Sequence, residues 1–276
     1  MHLIWPYSLR LQAFFGLPAY LFSFLSTYVT SIFSLATFNL VFLVLYKMQS
    51  PSIEQYKVIK DEKWPWFEDP EAWQNTLRKT LATVIFNIVV LQPIFFTGLI
   101  LLFDTRVPYG YTQETLPTVS TLIWQIAFCI YIEDIGQSVT HMMLHSRLLY
   151  GRFHKQHHLY NHTVSIASAY LSPVEYFLNS MLSAAIPTIL LWDKMHQATV
   201  WVWVIVRIGG TTANHSGYDL PWYPLELLPM RTSPSYHDFH HSGGDFSGNF
   251  SGSTSVLDTI LGTNKRYYAD KKRKQT

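Results

Sequence analysis

Four long stretches of the chain contain almost no charged side chains, and they constrain the fold more than any other feature. Apolar residues make up 49% of the 276-residue sequence and charged residues only 14%, against about 25% charged in an average soluble domain. A helix needs about 20 predominantly apolar residues to cross a bilayer. The stretches cover residues 11–46, 80–103, 115–132 and 176–206. We therefore predict an all-α integral membrane protein with about four to five transmembrane or hairpin helices.

The charges of the connecting segments predict the orientation in the membrane. Residues 47–79 carry six Lys or Arg, whereas residues 104–114 carry only Arg106. By the positive-inside rule, the first segment is cytosolic and the second lies across the membrane. The formal net charge of +2 gives no reason to expect nucleic acid as a partner. The single cysteine, Cys129, excludes an intramolecular disulfide and a cysteine-based zinc site.

Histidine is both frequent and clustered in this sequence. Nine of the twelve histidines lie within 101 residues. Residues three and four apart lie on one face of a helix, so each cluster directs two or three imidazoles to one place, as a metal site requires. The other three, His2, His162 and His196, are interpreted as packed or capping side chains. The nine candidate ligands are His141, His145, His154, His157, His158, His215, His237, His240 and His241.

Nine imidazoles are too many for one tetrahedral ion and indicate a dinuclear centre. Imidazole binds iron, copper, nickel and zinc, so the ligand type alone leaves the metal open. Five of the nine histidines precede residues 176–206 and four follow them. All nine can meet only if this region crosses the membrane an even number of times. We therefore predict a hairpin, with its tip at Asp193 and Lys194 and a histidine-rich cap on the cytosolic side.

The order of the C-terminal motifs resembles that of the fatty acid hydroxylase and sterol desaturase superfamily, and in particular the 4-methylsterol monooxygenases. The resemblance covers about residues 132–263. The motifs that carry it are Glu133-Asp134, the three histidine clusters, Asn214-His215-Ser216-Gly217-Tyr218-Asp219, Tyr236-His237-Asp238-Phe239-His240-His241, Gly248-Asn249-Phe250, Asp258 and Gly262-Thr263.

The resemblance implies two regions: N-terminal transmembrane helices with an interfacial linker at residues 1–136, and a catalytic region at 137–276. It implies a membrane-bound monooxygenase that holds two non-heme iron ions and oxidises a C–H bond of a sterol-type or fatty acyl lipid. Dioxygen and electrons from NAD(P)H, passed through cytochrome b5 and its reductase, are the implied co-substrates. The implied location is the endoplasmic reticulum membrane, with another organelle membrane as the alternative. Lys272 and Lys274 match a Lys-x-Lys-x-x retrieval signal.

A metal-bound imidazole needs a partner for its second ring nitrogen. Glu133, Asp134 and Asp238 are candidates for this orienting role, with Asn214 and Asn249 behind them. Solvated or capping polar side chains are the alternative interpretation of each.

The sequence departs from the family pattern at four places. Met142 stands where the family usually has Arg, and Ser172 lies where the 4-methylsterol enzymes commonly have the His of Ala-His-Pro. The stretch Gly209-Gly210-Thr211-Thr212 lacks the acidic residue that family members often have a few positions before the histidine matching His215. Val256-Leu257 stands where the family has an aromatic pair. These changes motivate a second hypothesis, a catalytically idle relative that serves as a structural or lipid-binding subunit of a membrane complex. Retention of all nine histidines favours the enzyme.

Overall fold

The computed structural model describes residues 5–102, 110–221, 227–242 and 248–274. Regular structure within these ranges is helical, apart from isolated bridges. Residues 104–109, including Arg106, on which the predicted orientation partly rests, lie outside the described residues. After a first helix, α1 (Trp5–Phe15), four helices are long and apolar enough to cross a membrane: α2 (Ala19–Met48), α3 (Pro70–Leu102), α4 (Val119–Leu144) and α5 (Pro173–Lys194).

Most of the apolar surface of these four helices faces outward. Only 11% to 39% of each apolar window is buried inside the protein, whereas a soluble protein buries the apolar face of its helices against a core. Lipid is the solvent that such a surface requires. The predicted fold class, a helical membrane protein, is confirmed.

A further helix, α6 (Gln197–Asn214), completes a bundle whose helices run alternately up and down. α2 and α6 are parallel, because Ser23 near the start of α2 bonds Gln197 while Tyr46 near its end bonds the carbonyl of Ser216. α3 runs antiparallel to α2, and α5 runs antiparallel to α4. The contacts that give these two directions are Tyr28–Ile88, Phe24–Phe96, Gly136–Ser183 and Thr140–Asn179.

α5 and α6 form a helical hairpin. His196 caps α6, since its Nδ1 accepts the backbone N–H of Ala198 at 3.0 Å. The N–H of Gly110 donates to the carbonyl of Met195 at 2.7 Å, so the chain that follows α3 lies beside the hairpin tip. α6 continues for 18 residues to Asn214, which returns the chain to the opposite end of the bundle.

Local sequence explains where α3 and α5 begin. Each starts with proline at its first position, where the missing N–H costs no helical hydrogen bond. Asp69 before α3 accepts the N–H of Ala72, and Ser172 before α5 accepts the N–H of Glu175. Side-chain caps of this kind satisfy backbone donors that have no partner within the helix.

Short helices close the end of the bundle where α2, α4 and α6 finish. Tyr46 of α2 is the central tie, because its hydroxyl donates to the carbonyl of Ser216 at 2.7 Å and accepts the N–H of Ser165 at 2.9 Å. Tyr46 belongs to one buried cluster whose other aromatic members include Trp64, Tyr160, Tyr170 and Tyr218. The helices of this cap are the turns Pro51–Glu54, Pro65–Glu68, Tyr150–His154, His157–Leu159 and Ser165–Ala169, and α7 (Pro234–Ser242), α8 (Val256–Leu261) and α9 (Lys265–Arg273).

Candidate metal centre

All nine predicted ligands meet at this capped end of the bundle, in two groups. All nine side chains are buried, and the ring nitrogens in each group lie within 4.8 Å of one another. The sequence neighbours His157 and His158 belong to different groups, as do His240 and His241, so the two groups are adjacent. The first group is His141, His145, His154, His158 and His240, and the second is His157, His215, His237 and His241.

Helix ends supply most of these rings. The last turn of α4 carries His141, and His145 follows directly as the residue that ends the helix. His215 ends α6 in the same way. The spacing of three and four residues in α7 then points His237, His240 and His241 inward. In each of the three clusters, the two histidines that are four residues apart lie in the same group. Their role as metal ligands stays a prediction.

Backbone carbonyls fix the orientation of four of the rings. A carbonyl oxygen can only accept, so the bonded Nδ1 must carry the proton, and the lone pair of the ring is left on Nε2. The bonds, given as distances from Nδ1 to oxygen, are His141 to Phe250 at 2.7 Å, His240 to Gly248 at 2.7 Å, His241 to Tyr160 at 3.0 Å and His215 to Thr211 at 2.8 Å.

The Nε2 lone pairs converge at close range. Such lone pairs repel one another unless a cation lies among them. Two nitrogens bound to one ion at about 2.1 Å, with bonds at a right angle, lie about 3.0 Å apart. The residues present therefore fit bound metal ions. The Nε2–Nε2 distances are 3.0 Å for His141–His154 and His154–His158, 3.2 Å for His145–His240 and His237–His241, 3.3 Å for His157–His215 and 2.8 Å for His215–His237.

Burial keeps these imidazoles neutral. Desolvation lowers the pKa of His215 to about 4. Desolvation, and secondarily the neighbouring imidazoles, lowers the pKa of five further rings well below the usual value of a histidine. Neutral imidazole is the form that binds a metal, so these rings are ready to do so at pH 7. The five are His154, His157, His237, His240 and His241.

Glu175 is a site residue that the sequence interpretation missed. Its Oε1 accepts from Nδ1 of His154 at 2.7 Å, and both side chains are buried. A carboxylate in this position makes the imidazole a stronger ligand and fixes its tautomer. The sequence signal at Ser172–Glu175 is that of a capping box at a helix start. Nothing in that local pattern links Glu175 to a histidine 21 residues earlier.

Asp134 and Asn214, predicted to orient imidazoles, both bind the loop at residues 252–254. Asp134 accepts three backbone N–H bonds from that loop, and the hydroxyl of Thr254 as well. Asn214 donates to the carbonyl of Gly252. The loop follows Phe250, whose carbonyl holds His141, so the two side chains stabilise the backbone beside the site.

Glu133 and Asp238 have other partners. Glu133 forms an ion pair with Arg207 between α4 and α6. Asp238 accepts the N–H and the hydroxyl of Thr163 at 3.0 and 3.2 Å, and its other oxygen lies 3.7 Å from Nδ1 of His162. Direct orientation of the ligand rings by these residues stays a prediction.

Gly248 and Asn249 allow the backbone to present its carbonyls to the site. Both have positive φ, 88° and 57° respectively, and glycine and asparagine tolerate this conformation best. A Cβ at Gly248 would lie 2.1 Å from the carbonyl oxygen of Thr263, so only glycine fits. Asn249 is held by a bond from Nδ2 to the carbonyl of Tyr236 at 3.0 Å.

A cavity extends from the histidines into the membrane-spanning part of the bundle. Four of the histidines line it, and so does the Glu133–Arg207 ion pair. Its walls come from α2, α3, α4, α5 and α6. Among the residues that line it are Ile32, Leu35, Val84, Asn87, Ile88, Leu171, Tyr176, Ile208 and Thr212.

The comparison with protein families matches residues 126–263 to the fatty acid hydroxylase family. The chain belongs to the fatty acid hydroxylase family. The match contains all nine histidines and begins within α4, so it includes the whole candidate centre. The resemblance inferred from the motifs is confirmed.

The curated relatives extend the family similarity over most of the chain. Methylsterol monooxygenase 1 of Gallus gallus is 31% identical over 228 residues, which cover 82% of this chain and 72% of the relative. The C-4 methylsterol oxidase of Schizosaccharomyces pombe is 30% identical over 167 residues, 59% of this chain and 54% of the relative. A very-long-chain aldehyde decarbonylase of Oryza sativa is 33% identical over 153 residues, 55% of this chain and 56% of the relative. No solved structure matches significantly.

The departures from the family pattern are accommodated by the fold. Ser172 donates to the carbonyl of Phe153, next to His154, and also caps α5. Gly209 lies against the ring of Phe38, where a Cβ would come within 2.7 Å, so the small residue allows close packing of α2 and α6. Met142 is only half-buried on α4.

Proposed function

We propose that the protein is a membrane-bound monooxygenase that uses two non-heme iron ions to oxidise a C–H bond of a methylsterol-type lipid. The observation that carries the proposal is the convergence of nine buried histidines, four of which line a cavity among apolar helices. Two of the relatives act on methylsterols by name, and this supports the substrate class.

The donor set supports iron as the metal. When bound, two ferrous ions would supply the electrons for reduction of dioxygen and the oxidising power that an unactivated C–H bond requires. Imidazole is a suitable ligand for iron, and the ligands divide into groups of five and four. A structural zinc ion takes four ligands, usually with cysteine among them. The single cysteine, Cys129, lies away from the histidines, against Met195 near the hairpin tip.

The protein's own groups would position the reactants and exclude water. Four histidine rings are held by the backbone carbonyls of Phe250, Gly248, Tyr160 and Thr211, and a fifth ring is held by the carboxylate of Glu175. The cavity among the helices would admit a lipid from the bilayer and keep water from the reacting carbon. Glu133, Asp134, Asp238 and Asn214 would maintain the shape of this enclosure.

The proposed electron source is NAD(P)H, through cytochrome b5 and its reductase, and the proposed location is the endoplasmic reticulum membrane. The basic linker, residues 47–79, packs against the end of the bundle that carries the histidines. Lys57 forms an isolated β-bridge with Tyr218, and Glu62 lies 2.9 Å from Nε2 of His162. A cytosolic linker therefore implies a cytosolic cap, on the side of the membrane where NAD(P)H-derived electrons would be delivered. We retain the division into residues 1–136 and 137–276 as part of this proposal.

The test is the metal content of protein purified in mild detergent from its native source, because overexpression can load zinc. We expect two irons per chain that cycle with dithionite and dioxygen in Mössbauer spectra. His157→Ala and His240→Ala, one from each group, should lose iron and lipid oxidation. His162→Gln, a histidine outside both groups, should retain both. Zinc, a single metal or none in the parent, or turnover in either alanine variant, would contradict the proposal and favour the catalytically idle relative.

A further inference from the structure

A chain of three aromatic rings leads from the second histidine group to the surface of the cap. The carbonyl of Tyr160 accepts from Nδ1 of His241 at 3.0 Å. Between ring centroids, Tyr160 lies 6.1 Å from Trp73, and Trp73 lies 5.4 Å from Trp66. Both contacts are edge-to-face, an arrangement that touching aromatic rings prefer. We refer to Tyr160, Trp73 and Trp66 as the aromatic chain.

The aromatic chain ends at water. Trp73 and Trp66 are both half-buried. A surface pocket between the linker and the cap is lined by Trp73 and Tyr160 and by charged side chains, among them Lys63 and Glu68. Charged groups of both signs need water around them, so soluble molecules can reach this pocket. The aromatic chain therefore connects the second histidine group with solvent.

The two tryptophans are the members of the aromatic chain that can carry an oxidising equivalent. Tryptophan and tyrosine give up an electron more readily than other aromatic side chains, but tyrosine does so only when a base accepts its phenolic proton. The hydroxyl of Tyr160 is paired with that of Thr80 at 2.7 Å, and a neutral hydroxyl is not such a base. Tyr160 therefore bridges the metal centre and Trp73, and the two indole rings carry the charge.

Trp64 stacks on Trp66 at 5.3 Å between ring centroids, but a nearby charge sets it apart. The ammonium of Lys57 lies 4.6 Å from the centroid of the Trp64 ring. A cation over the face of a ring is attracted to its electrons, so removal of an electron from Trp64 costs more. The oxidising equivalent should therefore stop at Trp66, which is half-buried, and not at Trp64, which is only 5% exposed.

The proposed reaction creates a need for such a path. Reduction of dioxygen to two waters takes four electrons. Two ferrous ions supply two of them, and the C–H bond of the lipid supplies the other two. When no lipid is bound, these last two electrons must come from the protein, and the side chains closest to the metals are the histidine ligands themselves.

We infer that Trp73 and Trp66 conduct oxidising equivalents from the metal centre to the surface of the cap when no lipid is bound, and so protect the histidine ligands from oxidation. The inference rests on the proposed function and adds a protective reaction to it. Trp73 gives one electron to the centre and regains it from Trp66, whose radical is reduced by a soluble thiol. Two thiols supply both electrons and two protons, and become one disulfide. With two more protons from solvent, both oxygen atoms of dioxygen leave as water.

The test maps where the protein is oxidised when it reacts with dioxygen in the absence of lipid. Protein from its native source is delipidated in detergent, reduced with dithionite, freed of excess reductant and mixed with dioxygen in the presence of catalase. We expect a tryptophan radical in rapid-freeze EPR spectra, oxygen addition at Trp66 and Trp73 in peptide mass spectra, and loss of both when glutathione is added.

Two variants interrupt the aromatic chain at different points. Trp73→Phe keeps an aromatic ring that does not readily give up an electron. It should lose the radical and the modification of Trp66, and oxidation should appear at the histidine ligands instead. Trp66→Phe should confine the radical and the modification to Trp73.

Two tryptophans outside the aromatic chain provide the controls. Trp203→Phe changes a buried tryptophan in the cluster near the hairpin tip, and it should behave as the parent does. Trp124 is 47% exposed, more than Trp66, so peroxide released into solution would modify Trp124 first. We expect Trp124 to stay unmodified.

Three results would overturn the inference and leave the proposed function standing. They are the absence of oxidation at Trp66 and Trp73 in a parent that consumes dioxygen, modification of Trp124 to the same extent as Trp66, and an unchanged modification of Trp66 in Trp73→Phe. A reduced parent that does not consume dioxygen would overturn both the inference and the proposed function.

Discussion

Gly248→Ala tests whether the backbone carbonyls hold the metal ligands in place. Gly248 accepts from Nδ1 of His240 at 2.7 Å, and two residues later the carbonyl of Phe250 accepts from His141 at the same distance. The added methyl group would lie 2.1 Å from the carbonyl oxygen of Thr263. Ordinary contacts between carbon and oxygen begin at about 3.3 Å, so the backbone must move by about 1 Å.

The Gly248→Ala substitution has two separable effects, one on stability and one on metal affinity. An L-residue in the left-handed region loses about 1–2 kcal/mol of stability, and this applies to any alanine at positive φ. In addition, a shift of about 1 Å along the bond to His240 would exceed hydrogen-bonding range. Loss of the partner of a ligand's second nitrogen lowers metal affinity by about 10- to 100-fold.

Gly16→Ala separates these costs. Gly16 also has positive φ, 61°, but nothing lies within 4 Å of the position that a Cβ would take there. We expect both variants to unfold at a lower temperature in detergent, and only Gly248→Ala to release metal at a lower chelator concentration. Equal metal retention in Gly248→Ala, Gly16→Ala and the parent would refute the argument that the carbonyl of Gly248 positions His240.

Two further predictions concern charged groups around the centre. Glu175→Gln should lower metal affinity about 10- to 100-fold in the same chelator titration, because a neutral amide replaces the carboxylate bonded to His154. The control is Glu71→Gln, which changes an exposed glutamate in the first turn of α3 and should leave metal affinity unchanged. Equal metal affinities of Glu175→Gln and the parent would exclude a role of Glu175 in orienting His154. The carboxylates of Asp238 and Glu62 raise the pKa of His162. The interaction of protonated His162 with these carboxylates therefore stabilises the fold fully below about pH 6.5, and progressively less as pH rises through the raised pKa. The difference in melting temperature between the parent and His162→Gln should therefore shrink between pH 6 and 8, and a constant difference would contradict it.

The sequence was sufficient to predict the helices and the convergence of the nine histidines, because both are encoded locally. Runs without charge identify spans, and histidines three or four apart on a helix must share a face. The requirement that the histidines before and after residues 176–206 meet also predicted the return of the chain through α6. This helix carries Arg207 and is not one of the four helices that hydropathy identifies as candidate spans.

The orienting groups could not be predicted, because four of the five identified are backbone carbonyls. Every residue has a carbonyl, so sequence gives no signal for which one faces Nδ1 of His241 or His215. Asp134, an acidic residue whose type suits this role, instead stabilises a loop beside those carbonyls. The motif Gly248-Asn249-Phe250 carried the information indirectly, through two residues that tolerate positive φ.

The partners of the Nδ1 atoms explain how the cap can hold converging Nε2 lone pairs, because the free-energy cost of their repulsion is shared among several rings. Each of the five oriented rings is held from outside through Nδ1, by a carbonyl or by Glu175. The aromatic cluster around Tyr46 includes Tyr160, whose carbonyl holds His241. The repulsion among the Nε2 atoms is therefore opposed by many small contacts, and a bound cation would convert it into attraction. Metal binding then stabilises the cap specifically, while the bundle of α2 to α6 depends on lipid for its apolar surface.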